Sequence, residues 1–146
     1  ELIKEVEVRP GELFRWAGGT LRSMSGSGAI TVVDSGTCMV DFCARVMRFY
    51  AHESCGQCTP CREGSGWLAT LCSRLAREEG KAGDVEKLRS VASQIGGNTI
   101  CALGDAVTWP MLGFLTKYGA EFEAKERFSI SSDMASSVRD RQEGGA

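Results

Sequence analysis

From residue 39 onward the apolar positions recur at three- and four-residue steps. Met39, Phe42, Cys43, Val46, Met47 and Tyr50 make one stripe, the pattern of a helix with one face toward a core. Trp67, Leu71, Cys72 and Leu75 make a second stripe, with Arg74, Arg77, Glu78 and Glu79 on the opposite side. The Arg74–Glu78 spacing there is that of an ordinary solvated face. A third helix is expected from an N-cap at Asp84 through Val85, Leu88, Val91 and Ile95, stopped by Gly96-Gly97. A fourth is expected to start near Trp109-Pro110, since proline suits a first helical turn, and to present Met111, Leu115, Tyr118 and Phe122. Four helices with short connections predict a mainly α fold, an antiparallel four-helix bundle over residues 34–127.

The flanks read differently. In residues 1–33 Val6 and Val8 alternate with Glu5 and Glu7, Pro10-Gly11 marks a turn, and Ala29–Val33 is a short β-rich run after Gly26-Ser27-Gly28. These are too few strands to close a sheet, so 1–33 is read as a truncated β segment whose edges need covering. Residues 128–146 are rich in serine and charge, with Ile130, Met134 and Val138 too sparse to bury much. A disordered tail is expected there.

Composition narrows the function. A chain of 146 residues can bury roughly 70% of its unfolded surface, so a core forms without staples. A net charge of −2 and scattered basic residues argue against nucleic acid as a partner. No apolar run approaches the roughly 20 residues that span a bilayer, and no signal-peptide pattern opens the chain. Direct membrane insertion and secretion are therefore not expected. Seven cysteines, an odd count, fit a reducing compartment better than a disulfide framework. Because Glu1 begins in mid-pattern, the chain is expected to be one piece of a larger subunit.

The chemistry lies in the cysteines. Cys55, Cys58 and Cys61 stand at C-x2-C-x2-C spacing in CGQCTPC, where each thiolate can take one iron corner of a cubane while the fourth corner is bound from elsewhere in the chain. Thiolates also suit zinc. Structural zinc sites, however, usually pair one close CxxC with a second pair or with histidines, and this chain has a single histidine. A bacterial ferredoxin pattern is disfavoured because no fourth cysteine followed by proline comes soon after Cys61. Gly56 allows positive φ, Pro60 stiffens the turn, and a helix starting near Arg62 would face its amides and a cation toward a net-anionic cluster.

Other candidates have plainer readings. Cys43 and Cys72 fall on apolar stripes and are read as small core hydrophobes. Cys38 stands at a helix start, where a thiol can be reactive, but it is not read as a site. His52 is read as a helix-end residue interacting with the dipole, and Trp67 and Trp109 as core anchors. Gly64-Ser65-Gly66 lacks the preceding strand and the following lysine of a phosphate loop.

Around these cysteines the segments MVDFCARVMRFYAHESCGQCTPCREG and TICALGDAVTWP resemble the cluster-binding C-terminal region of the NADH-binding flavoprotein subunit of respiratory complex I, over roughly residues 20–127. Similar sequences occur in diaphorase subunits of NAD-linked hydrogenases and formate dehydrogenases. The resemblance implies a single [4Fe–4S] cluster held by Cys55, Cys58, Cys61 and Cys101, and a β-grasp domain of which residues 1–33 are the tail end. It also implies an electron relay fed by NADH through FMN, both bound in an upstream α/β flavin domain that these residues do not contain. The implied partners are that flavin domain and the other iron–sulfur subunits of the complex. The implied place is cytoplasmic, in the peripheral arm of a membrane-associated assembly. The reading from another class is a zinc-stabilised interaction module without redox activity.

Overall fold

A computed structural model describes residues 15–16, 19–20, 31 and 33–143, with side chains over 31 and 33–127. Its backbone forms two short strands, β1 (Arg15–Trp16) and β2 (Gly19–Thr20), and four helices, α1 (Met39–Glu53), α2 (Thr59–Ala76), α3 (Asp84–Ile95) and α4 (Leu103–Glu143). The chain divides into two units, Glu1–Thr37 and Cys38–Ala146.

In the first unit β1 and β2 pair antiparallel, Arg15 opposite Thr20 and Trp16 opposite Gly19. Asp34 closes a turn at the end of this unit, its carboxylate accepting from the Gly36 amide at 2.8 Å and the Thr37 hydroxyl at 3.0 Å. The expected strands at Val6–Val8 and most of Ala29–Val33 lie outside the described residues.

In the second unit the expected stripes are the buried faces. Val40, Cys43 and Met47 from α1, Leu68, Cys72 and Leu75 from α2, Leu88, Ala92 and Ile95 from α3, and Val107, Met111, Leu115 and Phe122 from α4 form one core. Each helix packs on a neighbour, through connections 54–58, 77–83 and 96–102 that are as short as antiparallel neighbours use. At the heart of the core three sulfurs touch. Cys43 Sγ lies 3.9 Å from Cys72 Sγ, and Met111 Sδ is 4.0 and 3.7 Å from them. The hydrogen bond to Cys43 and burial both push the Cys72 thiol up, so it stays protonated. These two cysteines are core residues, as expected from their stripes. Gly64 lets α2 approach α3, because a Cβ there would lie 2.7 Å from Ile95 Cδ1.

Three local expectations are corrected. The fourth helix begins at Leu103, seven positions before Pro110, which lies inside it, and its backbone stays helical to Glu143, through most of the segment expected as a disordered tail. Its first bond runs from the Ala106 amide to Ala102 O at 2.9 Å, and Asp105 in its first turn accepts from the Gly97 amide of the preceding connection at 2.9 Å. Pro110 leaves Ala106 O without its helix donor, and its ring crowds that carbonyl.

Asp84 is not an N-cap. It is the first residue of α3 after Gly83 at φ 83°, and its carboxylate is fully buried. There it accepts from Arg74 Nε at 2.9 Å and Nη2 at 2.6 Å, from the Lys81 amide at 2.8 Å and from Lys87 Nζ at 3.2 Å. Trp67 and Trp109 are exposed rather than core anchors, at 58% and 51%. The buried face of α2 runs through Cys61, Gly64, Ser65, Leu68, Ala69, Cys72 and Leu75, and Trp67 falls about 120° off its centre.

With no side-chain cap from their own sequence, α1 and α3 take one from α4. Glu121 accepts from the Met39 amide at 3.2 Å, and Glu126 accepts from the amides of Gly83 at 2.8 Å and Val85 at 3.0 Å. Both carboxylates sit where helix amides lack partners and the dipole favours negative charge. A break at Tyr118, φ −120° and ψ 18°, separates them from the first part of α4. Glu126→Ala should therefore destabilise the chain by about 1 kcal/mol, measured by urea unfolding. Unchanged stability would show that water replaces the cap without loss.

Candidate metal centre

The loop between α1 and α2 carries three of the predicted ligands, and local geometry explains its shape. α1 ends at Ser54, whose extended backbone (φ −65°, ψ 122°) turns the chain out of the helix. Gly56 sits at φ 81°, as its place in the loop requires. Cys58, extended at φ −89° and ψ 122°, is the N-cap of α2, and Pro60 is its second residue. Pro60 has no N–H to leave unpaired in that first turn.

The first intrahelical bond runs from the Arg62 amide to Cys58 O at 2.8 Å. The amides of Thr59 and Cys61, ahead of it, have no helix carbonyl to meet. Cys58 and Cys61 thus flank the N-terminal amides of α2. Arg62 is hooked back over the loop, its Nη1 donating to Gly56 O at 3.0 Å and its Nε to Glu63 at 2.8 Å.

Tertiary structure brings the second cysteine segment to this loop. The Ile100 amide donates to Cys58 Sγ at 3.4 Å, across 42 positions of sequence, and so seats residues 99–102 beside the three-cysteine loop. Cys61 is 7% exposed, Cys58 is half-buried, and Cys55 and Cys101 are exposed. Ser54 Oγ lies 3.4 Å from Cys61 Sγ. Among the described residues no three Cys, His, Asp or Glu side chains gather around one point as a single-ion site requires. A cubane asks for a different arrangement, one thiolate to each iron corner.

Four thiols on one loop and its neighbouring turn, two sulfurs already hydrogen-bonded, and free amides at a helix start form a donor set that fits an iron–sulfur cluster. His52 is 86% exposed at the end of α1 and bonds Glu53 through Nδ1 at 3.1 Å. Sequence reasoning missed Ser54 and the Ile100 amide. Ser54 is visible in the sequence only as the neighbour of Cys55, and the amide carries no residue signal at all.

Residues 41–125 match the family described as the NADH-ubiquinone oxidoreductase-F iron-sulfur binding region. The chain belongs to this family. It is 44% identical over 125 residues to the F subunit of NADH-quinone oxidoreductase from Rickettsia massiliae, covering 86% of this chain and 28% of that one. It is 46% identical over 102 residues to the mitochondrial NADH dehydrogenase [ubiquinone] flavoprotein 1 of Dictyostelium discoideum, covering 70% of this chain and 21% of that protein. The chain thus spans about a quarter of the length of these relatives.

The fold also matches a crystal structure of an NAD+-reducing [NiFe]-hydrogenase in its air-oxidised state. The TM-score is 0.67 at 26% identity, over 82% of this chain and 23% of that one. The same enzyme type in the H2-reduced state matches with a TM-score of 0.65 at 25% identity, over 84% and 22%. Membership in this iron–sulfur family is the likeness read from the cysteine segments. Among the described residues no helix is long and apolar enough to cross a membrane.

Proposed function

We propose that this chain is an electron-relay segment, with Cys55, Cys58, Cys61 and Cys101 as the four ligands of one [4Fe–4S] cluster. The observation that carries the reading is the Ile100 amide on Cys58 Sγ, which holds the Cys101 segment against the three-cysteine loop at the start of α2. When bound, such a cluster supplies one-electron transfer. The chain's own residues hold it. The α2 amides place partial positive charge at Cys58 and Cys61, Arg62 ties the loop back through Gly56 O, Gly56 and Pro60 shape the loop, and the buried face of α2 limits water at Cys61.

Hydride chemistry needs a nicotinamide and flavin site, which we assign to another part of the subunit, where FMN would pass on electrons derived from NADH. Residues 1–33 are then the tail of a β-grasp domain. The partners are the flavin domain and the neighbouring iron–sulfur subunits of a NADH:quinone oxidoreductase, and the place is the cytoplasmic peripheral arm. The second reading, a diaphorase subunit of an NAD-linked hydrogenase or formate dehydrogenase, is favoured by the hydrogenase likeness. Identity is higher to the quinone-reductase relatives, so that reading is preferred. A zinc-stabilised module without redox activity has no observation in its favour.

The test uses the chain reconstituted anaerobically with iron and sulfide. Dithionite should bleach its visible absorption and produce a cluster-type paramagnetic signal, while NADH alone should do neither. Bleaching by NADH without added flavin would overturn the relay reading. So would a chain that holds zinc and never becomes reducible.

A further inference from the structure

We propose that the Ser54 hydroxyl is a hydrogen-bond donor to Cys61 Sγ in the cluster-bound chain, and that this bond favours the reduced state. The inference rests on the functional reading above. Ser54 Oγ lies 3.4 Å from Cys61 Sγ, and with a free thiol either atom could donate. A ligating cysteine has given up its proton. From that point the bond has one direction, with the serine O–H donating and the sulfur accepting.

The surroundings make this bond more than a surface contact. Ser54 is the C-cap of α1 and half-buried, Cys61 lies in the first turn of α2 and is 7% exposed, and α1 packs on α2. Donor and acceptor therefore come from two helices whose separation is set by the core, and little water competes for the sulfur. Hydrogen bonds to a charged acceptor in a dry place are stronger than neutral ones. An added electron makes the ligand sulfur a better acceptor, so the bond stabilises the reduced form more than the oxidised one.

The Ile100 amide acts on Cys58 in the same sense, but it is main chain and no substitution removes it cleanly. Ser54 is the side-chain lever. Its role is that of a positioning residue, acting on the metal through Cys61.

The full chain, loaded anaerobically with iron and sulfide, is poised at a series of potentials and read by electron paramagnetic resonance. Ser54→Ala should keep the full iron and sulfide content. At a given poise it should show about tenfold less reduced form relative to oxidised, a midpoint lower by about 59 mV for one electron. Ser54→Thr, which retains a hydroxyl, should titrate with the wild-type midpoint. An unchanged midpoint in Ser54→Ala at full loading overturns the proposal.

If Ser54→Ala loads incompletely, Ser54→Thr decides. Full loading with the wild-type midpoint supports a donor role, and a second failure to load shows that the site needs the size of serine and overturns it. A wild-type chain that takes up no iron and sulfide instead sinks the relay reading itself, an outcome separate from any serine effect.

Discussion

Cys101→Ala should lose the four-iron cluster, by abolishing it or converting it to a smaller one, whereas Cys43→Ala and Cys72→Ala should each retain the full iron and sulfide complement. The contrast follows from where the structure puts the thiols. Cys101 is exposed in the turn before α4, and its neighbour Ile100 is bonded to Cys58. Cys43 and Cys72 are fully buried and in contact with Met111, with Cys72 held in its neutral form. Truncating either core thiol removes one buried sulfur and should cost about 1 kcal/mol of stability without touching the ligand set.

Iron and acid-labile sulfide per chain, measured after anaerobic reconstitution, distinguish the two groups. A full complement in Cys101→Ala would sink its assignment as the fourth ligand, and a depleted one in Cys72→Ala would move the site into the core. Because the covalent path from the loop to Cys101 runs through the whole of α2 and α3, the bound cluster closes a long loop and should raise the thermal midpoint above that of the cluster-free chain.

Asp84→Ala should destabilise the chain by about 3 kcal/mol at neutral pH, the low end of what breaking a buried ion pair costs. The low end is chosen because the Arg74 side chain is 24% exposed and can recover some hydration. Burial by itself would raise the Asp84 pKa. The hydrogen bonds from Arg74, the Lys81 amide and Lys87 outweigh it and hold the carboxyl below the usual carboxylate range.

A folded pKa below the unfolded one, ordinarily about 3.9, means that the stabilisation is fully present above that value. It drains away as pH falls through the lowered folded value. Urea unfolding of the metal-free chain between neutral and acid pH should thus show a wild-type advantage over Asp84→Ala that shrinks only at the acid end. An advantage of equal size at all pH values would rule out the ion pair as its source.

The legible part of this molecule is whatever depends on residues close in sequence. Helical stripes at Met39–Tyr50 and Val85–Ile95 were readable because a helix repeats every 3.6 residues and its inner face must be apolar. The C-x2-C-x2-C spacing was readable because one short loop can present three thiolates whatever surrounds it, and the family match over residues 41–125 agrees with the likeness seen around it. Trp67 was misplaced because an apolar residue at the edge of a stripe looks like one within it. Pro110 misled because a first-turn preference does not forbid a proline deeper in a helix that starts earlier, here at Leu103.

By itself the sequence determined the helical composition, the core character of Cys43 and Cys72, and the iron–sulfur family its cysteine segments belong to, since each is legible in residue type and short-range spacing. Only the tertiary structure decided how distant groups meet. It placed Ile100 against Cys58, 42 positions apart, Ser54 beside Cys61 across two helices, Glu121 on the first amide of α1, 82 positions away, and Asp84 under Arg74. The physical reason is that such contacts depend on interhelix distance and angle. These are set by how the whole core packs, and no local run of residues encodes them.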